Sequence, residues 1–286
     1  MPTPPDRARA RLARHALQTL MCALVLLPCT PVRAQDAQTS EATGPAASKD
    51  GAEGSSARGL GADAKAYFTA PLHWTASDWA WLGASVAAIG IAHHYDSDVR
   101  EHFIKTEGAN AGASSKDLED FAPTVVVLGA TWLYAGIEDS NAGHRETYSM
   151  FEALLLSGVS AEAFKFALGR QGPNETDDPN QWFKGSGTFP SVHVTAAFAV
   201  GTVLAESGND EFRWLRRLLG YGLGAGTAYL RLKHNQHWLS DTVAGAALGI
   251  SSAHFTMNRH LAGIEQRVSV VPVPGGALLT YHVNLD

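Results

Sequence analysis

The chain has 286 residues, 45% of them hydrophobic and 17% charged, with a formal net charge of −6. That length and apolar content suit one globular domain with a sizeable core, or such a domain with a tail. The acidic balance excludes a bulk-charge nucleic-acid binder and attraction to anionic lipid by net charge alone.

Residues 1–34 read as a secretory signal peptide. Arg7, Arg9, Arg11 and Arg14 form a basic start, Ala16 to Pro28 an apolar stretch, and Ala34 closes a small-residue cleavage site. Both cysteines, Cys22 and Cys29, fall inside it, so the mature chain has no thiol nucleophile, disulfide or Cys-ligated metal. Cleavage removes five arginines and one aspartate and moves the charge from −6 to −10. The expected location is periplasmic. Residues 35–63 are rich in Ala, Ser, Gly and Glu and read as a disordered linker, with the folded domain over 64–286.

Helical patterns follow. Thr75 and Asp78 form a capping box before the apolar run Trp79–Ala92. A second helix over 114–139 is bent or delayed by Pro123. A third spans 144–170, and a polar Gly/Pro/Asn-rich loop runs from Gln171 to Thr188. Three more are expected after Pro190, over 212–230 and over 240–257. Residues 267–286 alternate around Pro274-Gly275-Gly276, which predicts a β-hairpin. The fold class is therefore all-α, a bundle of six or seven helices with a C-terminal hairpin. Uninterrupted apolar stretches of about 12 to 16 residues fall short of the ~20 of a spanning helix. Mean hydropathy is −0.08. The bundle reads as soluble or membrane-associated, with an integral bundle as the alternative.

Three stretches place polar residues at helix ends: Lys165–Pro173, Pro190–His193 and Arg231–Asp241. Together they hold cations, two histidines, a serine hydroxyl, helix N-terminal amides and a carboxylate. Lys and Arg neutralise phosphoryl oxygens, and a helix N-terminus supplies free N–H groups. One histidine can attack phosphorus while the other protonates the leaving oxygen. An Asp four residues after a His can fix its tautomer. Ser191 also suits the helix N-cap.

These residues resemble the signature of the type 2 phosphatidic acid phosphatase superfamily, which includes the vanadium haloperoxidases: K-x6-R-P, then P-S-G-H, then S-R-x5-H-x3-D. Lys165 and Pro173 fit the first motif. Pro190, Ser191 and His193 fit the second, and Arg231, His237 and Asp241 the third. The resemblance covers roughly 151–253. It implies His237 as nucleophile, Asp241 as its orienting carboxylate and His193 as general acid. It implies Lys165, Ser191, Arg231 and the backbone at Val192 as phosphate ligands. Gly172 stands where the motif has arginine, Val192 where it has glycine and Leu230 where it has serine. Arg170 is the expected substitute for the missing arginine, or else a residue that tethers the loop.

The implied activity is metal-independent hydrolysis of phosphomonoesters or diphosphates through a phosphohistidine, with no cofactor. The expected partners are a phosphorylated lipid or a small phosphomonoester, with a membrane surface open and nucleic acid excluded. A soluble acid phosphatase, a vanadate-dependent haloperoxidase and a degenerate phosphate- or lipid-binding module are the alternatives. His93, His94, His234 and His237 form no familiar zinc spacing, so no metal is expected.

Overall fold

The computed structural model describes residues 52–107, 117–138, 140–185, 187–208 and 212–260, with the extended stretches 268–273 and 276–281. Among these residues there are eight α-helices. They are α1 (Ala52–Thr69), α2 (Ala76–His94), α3 (Asp96–Glu107), α4 (Asp117–Ile137), α5 (Asn141–Leu168), α6 (Val192–Glu206), α7 (Arg213–Lys233) and α8 (Leu239–His260). The signal peptide and residues 35–51 of the linker lie outside the described residues.

Two of the eight, α1 and α3, are not among the six helices placed from the sequence. Residues 52–63, read as linker, belong to α1, whose Asp63 is buried. This stretch has a single large apolar side chain, Leu60, so no apolar periodicity marks it as a helix. It is held by tertiary polar contacts: Tyr67 Oη lies 2.7 Å from Ser252 Oγ on α8. The short polar helix α3 was hidden because Val99 and Phe103, one turn apart, are its only buried apolar residues, beside a buried Asp96. The capping box of α2 forms, with the Thr75 N–H donating to Asp78 at 2.8 Å and the Asp78 N–H donating to Thr75 Oγ1.

The centre of the bundle is α6, in which every residue from Val194 to Val203 is buried. It packs on α4, α5, α7 and α8. Glycines set its distance from two of these. A Cβ built on Gly201 would fall 2.2 Å from the Gly220 carbonyl oxygen of α7. One built on Gly245 of α8 would fall 2.7 Å from the Ser191 carbonyl oxygen. Backbone therefore meets backbone, and the N-termini of α6 and α8 sit side by side.

Much of the outer surface is apolar. Val126, Trp132 and Ile137 of α4, Val86 of α2, Phe166 of α5 and Trp214 of α7 are all more than half exposed. The helix α4 runs through Pro123, so its apolar stretch is longer than the sequence suggested. Leu118–Ile137 is long and apolar enough to cross a membrane by length and composition, with mean hydropathy 1.3 and 17% burial. Of the C-terminal hairpin expected over 267–286, the turn at 274–275 lies outside the described residues.

Candidate functional site

The N-terminus of α8 carries the centre of the site. Asp241, in its first turn, accepts the Trp238 N–H on Oδ2 at 3.0 Å, an N-terminal capping contact. The same oxygen faces His237 Nδ1 at 3.4 Å. Both side chains are buried, and Asp241 is fully so. Burial is the main force lowering the His237 pKa from its ordinary value. The Asp241 carboxylate raises it, while the positive charges of Arg231 and Lys165 lower it. His237 is therefore a neutral imidazole at neutral pH. With its proton on Nδ1 toward Asp241, the lone pair sits on Nε2.

Lys165 lies in the last turn of α5, 3.9 Å from Glu162, and Arg231 in the last turn of α7. Arg231 is buried and donates through Nη1 to Asp120 of α4 at 3.0 Å. His234 Nδ1 faces the same Asp120 oxygen at 3.1 Å. Both cations act on His237 electrostatically, each lowering its pKa.

The mouth of α6 joins it through one bond. The Ser191 N–H donates to the Asp241 carbonyl at 3.0 Å. The expected Ser191 cap does not form: its hydroxyl makes no side-chain capping bond. It is fully buried and, among the described residues, has no hydrogen-bond partner. Such a group costs free energy unless something outside the protein meets it. Val192 begins the helix, in a first turn whose N–H groups lack intrahelical acceptors. His193 lies edge-on to Phe121 of α4, with ring centroids 5.7 Å apart, next to the Asp120 that holds Arg231.

Arg170 is corrected. Gly169, at φ +48°, ends α5 and turns the chain inward. The Arg170 guanidinium is then wholly buried. Nη1 donates to Asp241 Oδ1 at 2.5 Å and to Ser240 Oγ at 2.7 Å. Nη2 donates to Asp96 Oδ2 at 2.7 Å and to the Pro179 carbonyl at 2.8 Å, and Nε to that carbonyl at 3.1 Å. Trp182 covers one face at 4.5 Å. The five donors are engaged inside the protein, so Arg170 is a tether that holds Asp241, and the phosphate-ligand alternative does not fit this geometry. Gly172 is enclosed too. A Cβ there would meet Asn174 Oδ1 at 2.6 Å and Thr188 Cγ2 at 2.7 Å, so the position of the motif arginine is filled by neighbours.

Sequence reasoning missed Asp96 and Asp120. Asp96 accepts Arg170, the Ser240 N–H at 2.8 Å and the Ser240 hydroxyl at 2.7 Å, and so fixes the start of α8. Asp120 anchors Arg231. Their partners lie 74 and 111 residues away, beyond any local pattern.

Comparison with known proteins supports the same stretch. Residues 146–263, from α5 past the end of α8, match the family model of the PAP2 superfamily. Over 97 residues the chain is 31% identical to a lipid A 1-phosphatase of Porphyromonas gingivalis, covering 34% of this chain. It spans only about a fifth (20%) of that relative's length. No solved structure matches the chain.

Proposed function

Since the chain belongs, through residues 146–263, to the PAP2 superfamily, we propose that it is a phosphatase acting on phosphorylated lipids through His237. The observation that carries this reading is a buried His–Asp pair, His237 and Asp241, in the field of two cations and joined to a helix N-terminus with an unsatisfied serine hydroxyl.

Nε2 of His237 attacks phosphorus, and the bond from phosphorus to the leaving oxygen breaks. His193 donates a proton to that oxygen. Asp241 stabilises the positive imidazole ring that results. Water, deprotonated by His193, then attacks phosphorus, the P–N bond breaks and phosphate leaves with His237 neutral again. Lys165, Arg231, the Ser191 hydroxyl and the N–H groups at Val192 hold the equatorial oxygens. These groups do the work with side-chain and backbone donors alone.

A lipid substrate is favoured by the exposed apolar surface of α2, α4, α5 and α7, which suits contact with acyl chains or a bilayer. The relative named above is a phosphatase of lipid A. Export by residues 1–34 to the periplasm and a hairpin over 267–286 complete the proposal.

The test is phosphate release from phosphatidic acid, lipid A, an isoprenyl diphosphate and p-nitrophenyl phosphate. Wild type is compared with His237→Ala at matched folding. Release by wild type alone supports the proposal, and the preferred substrate assigns the class. Binding of phosphate without release from any substrate points instead to a degenerate module that lost turnover with the motif arginine at Gly172.

A further inference from the structure

At the other end of the bundle, three metal-ligating side chains from three helices converge. Asp63 of α1, Glu152 of α5 and His260 of α8 each offer a ligand atom, all within 4.8 Å of one another. Along α8, nineteen residues separate His260 from Asp241, roughly 29 Å at the helical rise, so this cluster is separate from the site above.

The cluster has a built interior. Glu152 is fully buried, and among the described residues its Oε1 has no hydrogen-bond partner. Its Oε2 lies 2.5 Å from His260 Nε2, and that nitrogen lies 3.3 Å from Asp63 Oδ2. Arg259 binds the other Asp63 oxygen. A carboxylate oxygen sealed from water with no donor needs a positive partner. Two ligands at about 2.0–2.2 Å from a tetrahedral ion stand roughly 3.3–3.6 Å apart. The Asp63–His260 spacing already matches that, and Glu152 offers a carboxylate oxygen within 4.8 Å of both. One imidazole with two carboxylates suits a borderline transition ion better than Mg²⁺ or Ca²⁺, which take all-oxygen sets.

We infer that Asp63, Glu152 and His260 form a structural site for a divalent transition ion, Zn²⁺ or Mn²⁺, that clamps α1 onto α5 and α8. Spacing within the sequence could not reveal it, because the ligands lie on separate helices. The ion takes no part in the phosphoryl chemistry proposed above.

The test is metal content and thermal stability of the full chain. The protein is dialysed against EDTA, freed of chelator and titrated with Zn²⁺, Mn²⁺ or Mg²⁺, then assayed by plasma mass spectrometry and by melting. The expected result is one Zn²⁺ or Mn²⁺ per chain and a rise in Tm of roughly 5–10 °C at saturating ion. Glu152→Gln and His260→Ala should each weaken binding at least about tenfold, the loss already seen on removing a partner outside the ligand set. No retained ion together with an unchanged Tm would overturn the inference and leave a hydrogen-bonded cluster of His260 with the two carboxylates. Equal stabilisation by Mg²⁺, or full binding by Glu152→Gln, would overturn it as well. Should the variants fail to fold, the wild-type titration decides alone. No readout depends on turnover, so this result stands apart from the fate of the phosphatase proposal.

Discussion

Replacing Arg170 separates a tether from a phosphate ligand by where the lost energy appears. In the structure its guanidinium joins Asp96 and Asp241, and all three side chains are fully buried. Arg170→Met leaves two carboxylates without their cation in the interior. Breaking a buried pair by removing one partner costs about 3–5 kcal/mol. For a domain of this size each kcal/mol lowers Tm by roughly 2–4 °C, so the expected fall is roughly 6–20 °C. Arg170→Lys keeps the charge, but a single ammonium cannot span both carboxylates and the Pro179 carbonyl. Its fall should be smaller but clear. The assay is a thermal melt beside phosphate release at a temperature where each variant is folded. A phosphate ligand would behave in the opposite way, losing about 10²–10³ in kcat, as when one oxyanion donor is removed, with Tm nearly unchanged. That pattern in Arg170→Met would refute the tether.

Other expectations follow from the same geometry. Ser191→Ala removes a buried hydroxyl with no protein partner, so melting should show equal or higher stability while kcat/KM falls roughly tenfold or more. His237 has its pKa lowered chiefly by burial, so NMR titration of its ring nitrogens should place its midpoint below the ordinary value near 6.5. Asp241 raises that pKa and Lys165 lowers it. The midpoint should therefore move further down in Asp241→Asn and up in Lys165→Met; the reverse order would contradict the assignment. Gly201→Ala drives a Cβ into the α7 backbone and should lower Tm by roughly 3–10 °C, from an overpacking cost of about 1–3 kcal/mol. Gly222→Ala on the open side of α7, where nothing lies within 4 Å, should leave Tm equal or higher.

The sequence carried the site's local parts and hid its supports. The i,i+4 pair of His237 and Asp241 and the Arg231 six residues earlier were legible because one turn and one helix start place them. The burial of α6 was legible in its unbroken apolar run. The role of Arg170 was not, since it depends on Asp96, brought alongside by the packing of α3. Ser favours the N-cap position, which makes Ser191 look like a cap, yet its hydroxyl makes no capping bond to the α6 amides. The start of α1 was hidden for a related reason: Asp63 and Tyr67 look like ordinary polar residues until α8 supplies their partners.

The central claim is that His237 carries phosphorus during turnover. The most direct measurement is rapid quench of the protein with ³²P-labelled lipid phosphate, followed by peptide mass spectrometry under alkaline conditions that preserve phosphohistidine. The account predicts a transient, acid-labile label on His237 that accumulates in His193→Ala and is absent in His237→Ala. Steady turnover with no label on His237, or a label on another residue, would contradict it.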